Sequence, residues 1–436
     1  MKKFLAILLM SMLLVGCLPA VSLAEEPVVL TLWGGVPAEY GPQQTVDAFN
    51  EAYKDKGIQA EYVRFVNDET GNMKLETTLM AGGDIDLFIT YTQANLAKRG
   101  EAGMAMDLTQ QLADAGFDFT TELGEASTKY IYDGKTYGVP TKVEYYYLMA
   151  NVDMFEAAGV ELPLDGWDYD EFREACKKLT HGEGQDKVYG MYWDTTSSLL
   201  YPSWAVQSML GDDWYYTADG KSNFDNEYFV QAYDLAAKMM LEDKTCISHT
   251  DAVTQNMSIY STFVEGKTAM SMGVWAIRNL KDLENYPHDF KTAFIPAPVP
   301  NKEKAAYQPG DNAIGDILSI SSTSQHPAEA LEFLLWYVRG GMMPMLPYGR
   351  IPLCTSISNE EKVAGFMEGP EGVLEENSIA KYLENKELSL STKTTHKAEI
   401  QKVLSEEVES VLTGKKDAAT AMTDAKTRAD AILAEQ

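Results

Sequence analysis

Aromatic side chains at the predicted ends of strands carry the clearest chemical signal in this chain of 436 residues. The faces of sugar rings present C–H groups that lie well on indole and phenol rings, whose N–H or O–H edge can also meet a hydroxyl. Trp33, followed by Gly34, ends one β-rich apolar run, and Tyr91 ends another. Trp275 follows Met272-Gly273-Val274, while Trp193 and Trp204 flank a Ser/Thr/Tyr-rich stretch, Thr195 to Ser203, that reads as a loop. Each has a competing reading as a packed core residue, because large aromatics fill cores more often than they hold ligands. In the triplet Tyr145-Tyr146-Tyr147, strand alternation sends Tyr145 and Tyr147 to one face and Tyr146 to the other, so only part of it can face a cleft.

Other chemistries find less support. Gly266-Lys267-Thr268 resembles the end of a phosphate-binding loop, but the pattern needs glycine at Ser261 and a helix downstream, where an apolar strand is read instead. No GxSxG elbow is present, and the many carboxylates cannot be paired at a glycosidase spacing from sequence. His181, His249, His288, His326 and His396 lie far apart without an HExxH, so zinc is not expected. Adjacent tyrosines can ligate ferric iron, but the carboxylate or histidine partners of such a site are not identifiable. Neither a metal nor a cofactor is expected.

The N-terminus says where the protein works. Met1-Lys2-Lys3 precedes an apolar run from Phe4 to Val15, ending in Leu14-Val15-Gly16-Cys17, the pattern at which lipoprotein signals are cut to leave a lipidated cysteine. The run is shorter than the roughly 20 residues of a bilayer span. Ser22 and Ala24 offer a second cut, after Ala24, that would release a soluble protein. The formal net charge of −29 argues against a nucleic-acid partner, since phosphate affinity comes from clustered Lys and Arg. Beyond Cys17 only Cys176, Cys246 and Cys354 remain, widely spaced and read as buried thiols, with one disulfide as the alternative.

These residues need a scaffold, and the first third of the chain supplies an alternating one. Val28 to Trp33 reads as a strand; a helix follows with Val46, Phe49 and Tyr53 on one face, stopping at Gly57. Ile58 to Phe65 is the next strand, Met73 to Met80 the next helix and Ile85 to Thr90 a third strand. This βαβαβ order predicts a mainly parallel sheet whose ligands sit beyond the strands' carboxyl ends, where Trp33, Gly34 and Tyr91 lie. From Tyr130 the pattern changes to a short strand (Lys135 to Pro140), a longer one (Tyr145 to Asn151) and a more helical half. Three prolines between Phe294 and Pro300 fix an extended segment suited to a crossing between lobes. Ile400, Val403, Leu404, Val408 and Val411 then recur at helical spacing before Gly414.

In order along the chain, Leu30-Thr31-Leu32-Trp33, Ala81-Gly82-Gly83-Asp84-Ile85-Asp86-Leu87-Phe88, Tyr137-Gly138-Val139-Pro140 and Met149-Ala150-Asn151 lead to Phe263-Val264-Glu265-Gly266-Lys267-Thr268-Ala269-Met270 with Gly273 and Trp275. With this set the chain resembles the extracellular solute-binding proteins of bacterial ABC importers, the group that includes maltose- and other sugar-binding proteins. The resemblance implies an α/β fold of two discontinuous lobes around a hinge. The segments expected are a signal region (1–24), first-lobe segments 25–140 and 295–339, and second-lobe segments 141–294 and 340–436. It also implies ligand contacts at Trp33 and Trp275, polar contacts at Glu144 or Tyr145 beside the hinge, and a small-residue loop at Gly310-Asp311-Asn312-Ala313, where Asp311 replaces the usual second glycine. Arg350, in Tyr348-Gly349-Arg350-Ile351-Pro352, falls on a segment bordering the cleft, where it pairs with ligand or bridges lobes. The expectation is a monomeric, extracytoplasmic, membrane-anchored receptor, not an enzyme, that delivers a sugar to permease subunits. The competing readings are a receptor for a peptide, polyamine or metal, and a secreted glycosidase.

Overall fold

The structure, a computed structural model, describes residues 27–435 except 312, 385 and 392–394; the leader and Cys17 lie outside the described residues. The strands are β1 (Val28–Gly34), β2 (Ile58–Arg64), β3 (Leu87–Thr90), β4 (Val139–Val143), β5 (Tyr147–Asn151), β6 (Met270–Met272), β7 (Thr292–Pro296), β8 (Gln308–Pro309), β9 (Ile314–Ile320), β10 (Ile351–Pro352) and β11 (Leu388–Ser389).

The first lobe is built on a six-stranded sheet in the order β10-β4-β9-β3-β1-β2. Its β1, β2 and β3 are parallel, as the βαβαβ pattern predicts. In the connecting helix Pro42–Tyr53, Val46 and Phe49 are buried against the sheet, and Gly57, with φ 68°, turns the chain into β2. The other half of the sheet corrects the mainly parallel expectation: β9 runs antiparallel to both β3 and β4, and β10 antiparallel to β4. The cause is topological. β9 arrives from the other lobe and enters the sheet from the edge at which β1 and β3 end.

In the second lobe β5 pairs antiparallel with β6 and β7. Helices Tyr169–Leu179, Glu227–Ala237, Lys397–Leu412 and Ala418–Leu433 share one core with these strands. The first of them begins with a capping box, Asp168 with Glu171, that satisfies two otherwise orphaned amides. Ile400, Val403, Leu404, Val408 and Val411 are buried in the C-terminal pair, and Gly414 (φ 73°) follows the helix end.

The chain passes three times between lobes. The first passage is Glu144–Tyr146, between β4 and β5. The second lies just before β9, because β7 still pairs with β5 and β8 pairs with β11. The third follows β10, since Tyr337, Val338, Met342 and Met345 still pack in the first lobe's core. Sheet membership changes after Val143, between Pro309 and Ile314, and after Pro352. Among the described residues no helix is long and apolar enough to cross a membrane. Cys176, Cys246 and Cys354 are buried free thiols.

Candidate functional site

A cavity of about 100 Å³ opens at the hinge, lined from the first passage and the start of β5 by Glu144 to Tyr147, from the second passage by Pro309, Asp311 and Ala313, and from the second lobe by Tyr201, Trp204, Gln207, Trp214 and Met272 to Trp275. Tyr145 and Tyr146 precede β5, yet the triplet alternates: Tyr145 and Tyr147 both meet Tyr382 edge-on, whereas Tyr146 packs on Trp204. All three residues border the cavity, and it is the Tyr146 ring that stands with Trp204 and Tyr201 there, in keeping with the expected split of the triplet between two faces.

The second lobe supplies an aromatic wall. Tyr146 packs on Trp204 (ring centroids 5.4 Å, 51° between planes), and Tyr201 meets the same indole edge-on at 4.7 Å. The Tyr146 hydroxyl donates to the Tyr201 carbonyl, tying the hinge to the turn that carries Trp204. Trp275 stands edge-on to Tyr260 at 5.9 Å. Its placement depends on Gly273, whose φ of 108° ends β6; a Cβ there would lie 2.8 Å from Ile259 Cδ1 and 3.1 Å from the Trp275 indole nitrogen. Burial, reinforced by the charges of Asp194 and Glu144, raises the Tyr201 pKa, so its phenol remains a neutral donor at physiological pH.

Asp311 lines the cavity, but its carboxylate is taken up by the protein. Trp214 Nε1 donates to Oδ2 at 3.0 Å, Gln207 Nε2 and the Ser391 N–H donate to Oδ1 at 3.1 and 2.5 Å, and Lys397 Nζ lies 3.3 Å from Oδ2. The residue works as a staple of the second passage, and Gln207 completes it by accepting the Gly310 N–H. Glu144 accepts from Lys142 Nζ at 2.8 Å.

The carboxyl edge of the first-lobe sheet forms a separate polar group. The Tyr91 hydroxyl accepts the Gly35 N–H at 2.5 Å. Arg350 Nε sits 2.8 Å from Asp316 Oδ2, with the two side chains only 11% and 5% exposed. That contact lacks hydrogen-bond geometry, which leaves the Nε proton without an acceptor. Burial works against the Arg350 charge, but Asp316, Tyr91 and Glu144 outweigh it and the pKa rises. Asp316 itself has φ 48°, a left-handed conformation that is strained for a residue within a strand. Sequence reasoning passed over Asp316. The available signal was a lone carboxylate inside the apolar run Ile314-Gly315-Asp316-Ile317-Leu318.

The structure thus gathers Glu144, Tyr145, Trp204, Trp275 and Asp311 at one cavity, and Tyr91 with Arg350 at the carboxyl edge of the first-lobe sheet, within electrostatic reach of Glu144. Five expected residues are not in the cavity lining: Tyr91 and Arg350 at that edge, and Trp193, Trp33 and Gly34. Trp193 is 2% exposed and packs edge-on against Phe172 at 5.7 Å, because its neighbour Tyr192 bridges to Ser271 and the next side chain turns into the core. Trp33 packs beside Tyr91 in a satellite core with Phe65 and Leu75, its ring 5.9 Å from Lys74 Nζ. Gly34 abuts Tyr62, whose hydroxyl would be 2.7 Å from an added Cβ. Tyr146, Tyr201 and Trp214 are cavity residues that sequence reasoning did not single out as contacts. Among the described residues no three His, Cys, Asp or Glu side chains cluster closely enough to hold a metal ion.

The profile of bacterial extracellular solute-binding proteins matches residues 37–339, more than half of the chain. The chain belongs to this family. As an extracellular solute-binding protein it is 25% identical over 338 residues to the arabinooligosaccharide-binding protein of Bacillus subtilis (strain 168), covering 75% of this chain and 73% of that one. Its fold is similar to that of a sugar transporter from Rhizobium etli solved in an open conformation (TM-score 0.70, 20% identity, 92% of this chain and 99% of that one). It is similar also to an ABC substrate-binding protein from Listeria monocytogenes in complex with cycloalternan (TM-score 0.70, 19% identity, 94% and 100%). The two-lobed solute-binding fold and the extracytoplasmic setting follow from this membership.

Proposed function

We propose that this solute-binding protein is the carbohydrate receptor of an ABC importer, taking a sugar between its lobes and handing it unchanged to permease subunits. The observation that carries the reading is the set of aromatics Tyr146, Tyr201, Trp204 and Trp275 lining a hinge cavity, with Glu144 on its lining acting on Arg350 at a polar sheet edge that also holds Tyr91. Indole and phenol faces suit sugar C–H groups, and the polar edge suits hydroxyls. Contact with both lobes at once is what allows a ligand to favour a closed arrangement. The lobes are assigned as 27–143 with 314–352, and 147–311 with the chain after 352. Glu144 and Asp311, the carboxylates on the cavity wall, are each held by a lysine, which suits positioning better than acid–base chemistry. The protein acts as a monomer anchored through lipid on Cys17, the cut after Ala24 being the competing reading.

A thermal-shift screen of mono- and oligosaccharides, with arabino-oligosaccharides included because of the Bacillus subtilis relative, tests this against amino acids, polyamines and metal ions. A rise in melting temperature with a sugar, and chromatographic recovery of that sugar intact, is expected. A response confined to the other solutes, or cleavage abolished by neutralising one carboxylate, overturns it. Sequencing the mature N-terminus decides the anchor: a free amino group at Glu25 removes it.

A further inference from the structure

The chain carries a formal charge of −29, yet charge around the cavity is balanced in couples. Glu144 pairs with Lys142 at 2.8 Å, Asp311 with Lys397 at 3.3 Å, and Asp316 with Arg350 at 2.8 Å. The third couple differs from the others in being under-bonded. The Arg350 Nε is buried and, although 2.8 Å from Asp316 Oδ2, lacks an acceptor in good hydrogen-bond geometry. A nearly buried ion pair with unused bonding capacity contributes little to stability, because desolvation offsets the attraction unless further hydrogen bonds are made. Its position is also the one where ligands of such sheets gather. Asp316 is the third residue of β9, near the carboxyl edge where β3 runs out toward Tyr91, and Glu144 is close enough to act on Arg350.

We propose that Asp316 makes the cleft selective for neutral sugars: by neutralising Arg350 it leaves a donor–acceptor couple that fits hydroxyls and rejects a carboxylate. This rests on the carbohydrate reading above. An arginine alone at this edge would form a planar two-pronged contact with a uronate carboxylate. With Asp316 beside it, an incoming carboxylate meets a like charge and finds the guanidinium already compensated. A neutral sugar meets neither obstacle, since a hydroxyl can accept from Arg350 and donate to Asp316.

Asp316→Gly is a clean probe because glycine accepts φ 48° without strain, so the carboxylate is lost while the backbone conformation is retained. Asp316→Asn, which also tolerates that conformation, keeps the shape and removes the charge. Calorimetric titration would use arabinose, glucose, arabinotriose, xylotriose and maltotriose, each beside an analogue carrying one uronate residue, with melting temperatures confirming that the variants fold. The wild type should prefer the neutral member of a pair by about tenfold or more, and both variants should reduce that preference by about tenfold, chiefly by tightening the uronate. Wild-type binding of a uronate as tight as that of its neutral partner overturns the proposal. So do folded variants whose preference is unchanged. Silence of every neutral and acidic sugar overturns the carbohydrate reading and this inference together, whereas neutral binding with unmoved selectivity removes only this one.

Discussion

Replacing Asp311 by alanine tests whether the second passage is held by a structural staple or offers an acceptor to the ligand. The side chain is 3% exposed and gathers the Trp214 indole N–H, the Gln207 amide, the Ser391 N–H and the Lys397 ammonium. Gln207 keeps its bond to the Ser389 carbonyl at 2.8 Å, and Lys397, 25% exposed, can turn toward water. Trp214, only 4% exposed, has no such escape. One buried donor left without a partner costs about 1–3 kcal/mol, and losing charge-assisted bonds from Ser391 and Lys397 adds about 1.5–3 kcal/mol. The two contributions sum to about 2.5–6 kcal/mol, and the range for breaking a buried pair narrows the expected destabilisation to about 3–5 kcal/mol. For a unit of 150–250 residues this corresponds to a fall of about 6–20 °C in Tm. Asp311→Asn should cost roughly half as much, since one oxygen still accepts while the new NH2 faces donors. Urea unfolding followed by circular dichroism reads the change at constant slope. A loss below about 1 kcal/mol in Asp311→Ala, or wild-type stability combined with weakened sugar binding, would refute the staple and return Asp311 to the ligand.

The other expectations are shorter. Trp275→Ala and Trp204→Ala should each weaken sugar binding by about 1–3 kcal/mol, a range taken from base stacking on aromatics, and each should diminish the ligand-induced change in tryptophan fluorescence. Trp193→Phe should leave affinity unchanged and cost little stability, because it removes an indole N–H that has no partner in the core; altered affinity would place Trp193 at the ligand after all. No thiol should react with a disulfide reagent in the native protein, and all three described cysteines should react after unfolding, since burial pushes Cys246 up to about 12 and raises Cys176 and Cys354 as well. Lys281 donates to the carbonyls of Pro347, Phe366 and Glu368, and burial lowers its pKa to about 8. Above that pH the unfolded chain holds a proton the folded one has shed, so wild-type stability should rise relative to Lys281→Met by up to about 1.4 kcal/mol per pH unit between about 8 and 10.5; parallel stability–pH curves would contradict the assignment.

Periodicity made the scaffold legible. The helix face of Val46 and Phe49, the βαβαβ opening and the C-terminal stripe from Ile400 to Val411 are all repeats a short window can register, and each is buried as that pattern requires. Sheet direction was not legible beyond β3, because β9 follows β3 by more than two hundred residues and no local pattern records from which edge a returning strand enters. The same distance hid the site's electrostatics. Trp193 and Trp204 flank one loop and look equivalent in sequence, but a bridge at Tyr192 sends the first into the core while the Tyr146–Tyr201 bond presents the second to the cavity. Asp316 and Arg350 meet only because β9 begins, and the segment before β10 ends, at one sheet edge on either side of β4.

Net charge is the sharpest instance of what a sequence sum conceals. A chain at −29 suggests a cleft that repels anions and draws cations, yet each carboxylate on the cavity wall, and Asp316 at the sheet edge, stands beside a basic side chain. Long-range charge is screened within about 8 Å at physiological salt, so partners a few ångströms away decide what the ligand meets. The uncompensated acidity then belongs to the outer surface, where it favours solubility and repels anionic lipid, while the cleft is left to select by ring faces and hydroxyl geometry. The two properties are compatible because the charge that governs one is spatially separated from the couples that govern the other.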